Sequence, residues 1–82
     1  MEIIKYTSKR SVKGKMIDQV FEYIELPCPL ETRYVEDVGE RELIGKGIFS
    51  LPAIYVKNGD KKVILSDNVT PKKLQDAIDS VK

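Results

Sequence analysis

The chain has 82 residues, 41% apolar and 33% charged, and a formal net charge of +1, so we expect one soluble domain over residues 1–82. Its short apolar runs exclude a membrane-spanning helix, and the first ten residues lack the pattern of a secretory signal. One cysteine, no histidine, no tryptophan and a near-neutral charge exclude a disulfide framework and argue against metal and nucleic-acid binding. The composition therefore predicts a cytoplasmic protein without a metal or cofactor.

The first part of the chain predicts a strand, a helix and a second strand. The β-branched and aromatic residues of Glu2–Tyr6 indicate a strand, which a polar loop over Thr7–Lys15 follows. The next apolar residues have the spacing of one face of an amphipathic helix; they are Met16, Ile17, Val20, Phe21 and Ile24. Pro27 and Pro29 end that helix, and Glu31–Val38 has the composition of a second strand.

The remaining part predicts a short helix, a hairpin and a final helix. Gly39–Lys46 indicates a short helix, and Ala53–Lys57 a third strand. Asn58-Gly59 is the strongest turn signal in the chain and joins this strand to Lys61–Leu65. Thr70-Pro71 has the residue types of an N-cap and a first helical position. The apolar face of the helix that follows is formed by Leu74, Ala77, Ile78 and Val81.

The order of elements is therefore β-α-β-α-β-β-α, which predicts an α/β domain with a mixed four-stranded sheet. The first two strands are separated by a helix and should be parallel, with a right-handed crossover. The last two strands should form an antiparallel hairpin.

This element order, with a proline just before the third strand, resembles the thioredoxin-like superfamily, and in particular its small glutaredoxin-sized members. The resemblance covers essentially the whole chain. It rests on Ile3–Tyr6 as the first strand, Ser50–Ala53 as the proline turn and Lys57–Asp60 as the hairpin. It implies a thioredoxin-like fold in which the Leu51–Pro52 bond is cis and the adjacent backbone faces the active site.

Both cysteines of the family's Cys-x-x-Cys motif are missing. The family places this motif where the first helix begins, because a helix N-terminus stabilises a thiolate. Aligned on the helical spacing, the motif falls on Ser11–Gly14, so that Ser11 replaces the nucleophilic cysteine and Gly14 the resolving one. A frame shifted by three residues, Ser8–Ser11, is equally free of cysteine. The loss argues against the family's redox activity.

Cys28 is the only cysteine and lies in the proline-flanked loop at the far end of the predicted first helix. A helix length of roughly 15–18 Å separates this loop from the motif loop. We therefore interpret Cys28 as a small packing residue. A regulatory or intermolecular thiol and a catalytic thiol are the alternatives.

The charges are segregated along the chain. Residues 1–15 hold five basic residues against one acid, residues 16–45 eight acids against two arginines, and residues 46–82 seven lysines against four acids. The first basic cluster surrounds the start of the predicted first helix, where backbone N–H groups favour anions. A phosphate, a carboxylate, glutathione or an acidic protein surface could bind there, and a solvated loop is the simpler interpretation. The acids over residues 36–42 are interpreted as a solvated face.

Three loops are expected to form one recognition surface: the altered motif loop, the loop before the third strand and the loop before the last helix. The backbone beside Pro52 could pair with an extended peptide without any thiol. Ile48 and Phe49 either contact that peptide or pack in the core. The predicted binding residues are Lys9, Arg10, Ser11, Lys13, Gly14, Leu51, Pro52, Ser66, Asp67 and Asn68.

The sequence thus favours a redox-inactive thioredoxin-like module that binds a protein partner, with glutathione or another small anion as a further candidate ligand. It predicts no catalytic residue, no nucleic-acid partner and no membrane partner. The alternative is a divergent thiol–disulfide oxidoreductase that uses the thiol of glutathione or of Cys28. A structural subunit of a larger complex is the third hypothesis.

Overall fold

The computed structural model describes residues 1–10, 17–66 and 69–82. These residues form four strands, three α-helices and one 3-10 helix. In chain order the elements are strand β1 (Glu2–Thr7), the 3-10 helix (Val20–Glu22), strand β2 (Leu30–Tyr34), helices α1 (Val35–Val38) and α2 (Glu40–Gly45), strands β3 (Ala53–Asn58) and β4 (Lys61–Leu65), and helix α3 (Pro71–Val81). Within the described ranges, every helix is too short or too polar to cross a bilayer.

The four strands form one mixed sheet in the order β2-β1-β3-β4. β1 runs parallel to β2, as expected for strands separated by a helical segment. β1 is antiparallel to β3, and β3 and β4 form the antiparallel hairpin predicted from Asn58-Gly59. Gly59 turns this hairpin with φ of +62°, a conformation that glycine adopts without steric cost. The α/β class and the mixed four-stranded sheet are confirmed.

One face of the sheet is covered by α3 and by the segment around the 3-10 helix, and we call it the aliphatic face. Thr70 caps α3 as predicted: its side-chain oxygen accepts a hydrogen bond from the Lys73 backbone N–H at 3.2 Å. All four predicted core residues of α3 are buried. The buried residues of the aliphatic face are Ile3, Ile17, Val20, Ile54, Val56, Leu74, Ala77, Ile78 and Val81.

The opposite face is covered by α1, α2 and the loop before β3, and we call it the tyrosine face. Its buried residues are Ile4, Tyr6, Leu43, Ile48, Ala53 and Tyr55. The two helices that cover this face have only four and six residues, whereas α3 has 11. The tyrosine face therefore has a shorter and more interrupted cover.

One charged side chain is buried on β1. Lys5 is 5% exposed, and its Nζ forms an ion pair with the Asp18 carboxylate. The pair connects β1 to the segment that precedes the 3-10 helix. A buried ammonium group requires partners of this kind because its desolvation is costly.

The hairpin and the last helix are joined at one edge of the sheet. The Asn58 side-chain amide donates a hydrogen bond to the Val81 carbonyl at 2.9 Å. Glu2, at the start of β1, lies opposite Lys57 at the end of β3. The two ends of the described chain therefore lie at the same edge of the sheet.

The second strand is shorter than predicted. Val35–Val38, which we expected to continue it, forms the single-turn helix α1. The pairing of β2 ends at Tyr34 opposite Thr7, the last residue of β1, so the residues after Tyr34 have no strand beside them. Gly39, with φ of +82°, then separates α1 from α2.

The predicted first helix is only partly seen. Ile17 is helical, and Ile17 and Val20 are buried as the apolar spacing predicts, but the described backbone ends in a 3-10 helix at Glu22 instead of continuing as an α-helix to Ile24. The N–H groups here bond to carbonyls three residues earlier, at 3.2–3.3 Å, which is the pattern of a tightened final turn. Met16 lies outside the described residues.

Candidate functional site

A cleft of about 460 Å³ opens on the tyrosine face, where α1 and α2 meet the loop before β3. This volume is in the range of sites that accept a small ligand or an inserted side chain. Its polar lining comes from Glu40 and Ser50. Its apolar lining comes from Val35, Leu43, Ile44, Ile48, Phe49 and Leu51.

Two large apolar side chains at this cleft face the solvent. Phe49 is 83% exposed and Ile44 is 58% exposed, whereas Ile48 is 3% exposed and belongs to the core. The sequence left core packing and ligand contact as alternatives for Ile48 and Phe49. Ile48 is therefore a core residue, and Phe49 is not. Neighbouring exposed apolar side chains are typical of an interaction surface.

The loop before β3 presents main-chain groups that are not hydrogen-bonded to the main chain of other described residues. Its first part is anchored, because the Ile48 N–H donates to the Leu43 carbonyl at 2.9 Å. Among the described residues, Phe49, Ser50 and Leu51 make no main-chain hydrogen bond. The Leu51–Pro52 peptide bond that follows is cis. The N–H and C=O groups of these three residues can therefore pair with another extended chain.

The basic loop after β1 is held by acids of α1. Glu36 accepts hydrogen bonds from the Ser8 hydroxyl at 2.6 Å and the Lys9 N–H at 3.1 Å, and the Ser8 bond in particular lowers the pKa of the Glu36 carboxyl. The Lys9 Nζ lies 3.1 Å from the Asp37 carboxylate and 5.6 Å from the centre of the Tyr34 ring. The acids at 36 and 37 are thus partners of the basic loop, and the charge of Lys9 is already compensated.

A polar network surrounds Tyr6 on the tyrosine face. The Tyr6 hydroxyl donates to Glu42 at 3.2 Å, and Arg33 donates to the same carboxylate oxygen at 3.3 Å and to Glu31 at 3.0 Å. The Lys46 Nζ lies 4.9 Å from the centre of the Tyr55 ring and 5.8 Å from that of Tyr6. The network connects α2 and Lys46, the residue that follows it, to the sheet.

Two groups of this network hold their protons more tightly than usual. Burial raises the pKa of Tyr6, and the hydrogen bonds to Glu31 raise the pKa of Arg33. Tyr6 is therefore neutral and Arg33 charged at neutral pH. The network therefore links α2 to the sheet through one neutral hydroxyl and one charged guanidinium group.

The described residues of the predicted site lie at the edge of the sheet where β1 and β4 end and β3 begins. Lys9 and Arg10 follow β1, and Ser66 follows β4. Tyr6 lies opposite Ala53 and Ile54 opposite Leu65, so both of these strand ends lie beside the start of β3. Leu51 lines the cleft, and Pro52 is buried next to it. Ser11, Lys13, Gly14, Asp67 and Asn68 lie outside the described residues.

Cys28 lies far from the cleft. It is half-buried against the aliphatic face, whereas Leu51 packs against the tyrosine face. Cys28 also precedes Leu30, which pairs with Ile3 at the start of β1, while Pro52 adjoins the end of β1. At about 3.3 Å per strand residue, these positions are roughly 15–20 Å apart along the sheet.

The sequence did not identify Ile44 and Glu40 as site residues. Both belong to α2, which reaches the cleft because the chain turns at Gly39 after the unexpected helix α1.

In the described part of the chain, no group of three or more aspartate, glutamate, cysteine or histidine side chains is placed to hold a metal ion. No family model matches the chain, and no curated protein or solved structure is significantly similar to it.

Proposed function

We propose that this chain is a thioredoxin-like module without redox activity that binds an extended segment of a partner protein at the cleft beside Leu51–Pro52. One observation carries this proposal: the exposed apolar side chains of Ile44 and Phe49 lie at a loop, residues 49–51, whose main-chain groups make no main-chain hydrogen bond to another described residue. A bound segment would pair with the main chain of residues 49–51 and insert an apolar side chain between Ile44 and Phe49.

The thioredoxin-like assignment is supported by the arrangement of strands. The mixed sheet, the parallel β1–β2 pair, the antiparallel hairpin and the cis bond before β3 all agree with what the resemblance implies. The altered motif at Ser11–Gly14 supports a role without thiol chemistry.

A protein segment fits this surface better than the other ligands considered. Lys9 is paired with Asp37, so this lysine is less available to a small anion or glutathione. The oxidoreductase alternative has less support because Cys28 packs on the other face of the sheet. Burying one large apolar side chain contributes roughly 1.5–3 kcal/mol, so the contact would be weak and reversible.

Peptide selection tests this proposal. A random peptide display library would be selected on the immobilised protein, and synthetic versions of the enriched peptides would be measured by fluorescence polarisation. We expect Phe49→Ser to weaken binding by roughly tenfold or more, since it removes the main apolar contact. Tyr23→Ser is the matched control, because Tyr23 is 76% exposed and lies in the segment that covers the aliphatic face. Equal effects of the two substitutions would contradict the proposed site.

Insulin reduction tests the absence of redox activity. With dithiothreitol or glutathione as reductant, we expect no turnover above background from the native chain or from Cys28→Ser. The double substitution Ser11→Cys/Gly14→Cys should gain turnover if the motif alignment is correct. Native activity that is abolished by Cys28→Ser would instead favour the oxidoreductase.

A further inference from the structure

We infer that the partner segment is basic: it places a large apolar residue in the cleft and a neighbouring lysine or arginine against Glu40. This inference rests on the function proposed above and specifies the chemistry of the ligand.

Glu40 is the only charged residue among the described residues that line the cleft. It begins α2 and is exposed. Residues three and four positions apart share one face of a helix, which places Glu40 on the same face as Leu43 and Ile44. Its carboxylate makes no ion pair or hydrogen bond within the described chain, so it can accept a cation from a ligand.

The neighbouring residues of α2 do not cancel this charge at the cleft. Arg41 is not among the lining residues. Glu42 is directed to the sheet, where it accepts hydrogen bonds from Tyr6 and Arg33. Glu36 and Asp37 are held by the basic loop after β1, so Glu40 carries the charge that faces the cleft. A basic ligand complements this surface, and an acidic ligand would be repelled by it.

A second copy of the chain is a poorer occupant. Ile44 and Phe49 together expose on the order of 250 Å², given that large apolar side chains cover roughly 150–250 Å² each. A stable dimer buries about 800 Å² from each partner. Two copies meeting at their clefts would also bring two Glu40 carboxylates together. The small apolar area and the single charge suit a short peptide segment instead.

Three fluorescein-labelled octapeptides test the inference by fluorescence polarisation. Each has a central leucine in a serine and glycine background and carries two lysines, two serines or two glutamates beside the leucine. We expect affinity to decrease in the order lysine, serine, glutamate, by roughly 3- to 10-fold at each step at low salt. The differences should shrink in 0.5 M NaCl, because added salt screens surface charges.

Substitutions of Glu40 assign the preference to this residue. Glu40→Gln should reduce the affinity for the lysine peptide to that for the serine peptide, and Glu40→Lys should favour the glutamate peptide. Glu25→Gln is the matched control, because Glu25 is exposed in the segment that covers the aliphatic face. This substitution should leave the affinities for all three peptides unchanged. Circular dichroism melting of each variant would establish that it is folded.

The outcomes separate this inference from the proposed function. Equal binding of all three peptides, lost in Phe49→Ser, would overturn the basic preference and leave the peptide-binding function intact. Failure of every peptide to bind, or binding that Phe49→Ser does not alter, would overturn the proposed function and this inference with it. Dimers in sedimentation velocity that disappear in Phe49→Ser would make a second copy the occupant and overturn the inference.

Discussion

The two faces of the sheet are built by different means. The aliphatic face carries an 11-residue helix with a side-chain cap, and its hydrophobic cluster consists of aliphatic side chains, with the Lys5–Asp18 ion pair beside it. The tyrosine face carries two helices of four and six residues, and its buried tyrosines are surrounded by Glu42, Arg33 and Lys46. The cleft lies on the tyrosine face, beside these two short helices.

This difference indicates that the aliphatic face mainly stabilises the domain, while the tyrosine face leaves apolar groups at the surface. Burial of aliphatic side chains is the main stabilising contribution in a chain of this size, and it is concentrated where α3 covers the sheet. On the tyrosine face, hydrogen bonds and cation–π contacts hold the cover in place while apolar groups remain at the surface. Four predictions test this comparison, from the largest expected effect to the smallest.

Truncation of one core leucine on each face should give unequal losses of stability. We expect Leu74→Ala to lower the free energy of unfolding by about 3–5 kcal/mol, because Leu74, a residue of α3, is fully buried in the aliphatic core. Leu43→Ala should cost less, about 2–3 kcal/mol, because Leu43 lines the open cleft and its surroundings can relax. Urea unfolding followed by circular dichroism measures both. The exposed Ile44→Ala is the control, with a change within about 0.5 kcal/mol. Equal losses of stability at residues 74 and 43 would contradict the proposed difference in packing between the two faces.

Alanine at two glycines near the cleft should have opposite effects. Gly39 has φ of +82° and ψ of +159°, a region that residues with a Cβ rarely adopt, so Gly39→Ala should destabilise the protein by about 1–3 kcal/mol. Gly45 lies in α2, and a Cβ there would meet no atom within 4 Å. Gly45→Ala should therefore be neutral or stabilise by up to about 1 kcal/mol. Thermal and urea unfolding measure the pair, and a matching loss at Gly45 would refute the backbone explanation.

Removal of one hydroxyl should identify the bond that anchors α2. We expect Tyr6→Phe to lower the free energy of unfolding by about 0.5–1.5 kcal/mol, since it removes the hydrogen bond to Glu42. Tyr55→Phe is the matched control: Tyr55 also lies beneath Lys46, and no hydrogen bond of its hydroxyl is formed within the described chain. An equal or smaller loss in Tyr6→Phe than in Tyr55→Phe would show that the bond to Glu42 does not anchor the helix.

The smallest effect concerns the contact between the basic loop and α1. Because the folded-state pKa of Glu36 is below its ordinary value of 4.5, its contribution to stability is present at neutral pH and is lost as the pH falls below 4.5 through the lowered pKa. Ser8→Ala should raise the pKa of Glu36 toward the ordinary value, by removal of the hydroxyl donor. Carbon-13 NMR titration of the Glu36 carboxyl measures the change. Ser80→Ala, whose hydroxyl bonds to Ala77 on α3, should leave that titration unaltered.

Elements of the fold that depend on local residue chemistry could be predicted from the sequence, whereas those that depend on neighbouring elements could not. The Thr70 cap, the four buried residues of α3 and the Asn58-Gly59 turn were predicted correctly because each depends on local residue chemistry. The end of β2 could not be read from Glu31–Val38, whose valines suit a strand. It depends on where the neighbouring strand β1 stops, which is not a local property.

Only part of the candidate site could be predicted from the sequence. Leu51 was predicted as a binding residue and Phe49 as either a ligand contact or a core residue, and both line the cleft. Glu40 and Ile44 were not, because their approach to this loop depends on the turn at Gly39 and on tertiary packing. The pairing of Lys9 with Asp37 joins residues 28 positions apart, so it could not be inferred from spacing either.

The hydrogen bond from Asn58 to Val81 has a practical consequence for handling the protein. It holds the end of α3 beside the hairpin, and Met1 and Glu2 lie near Lys57 and Gly59 at the same edge. The cleft adjoins the other end of β3, about 17 Å away for six strand residues. A tag, surface anchor or fused domain attached at either terminus would therefore leave from the side opposite the cleft. A short linker between the two termini would also allow a circular permutant with new ends elsewhere in the chain.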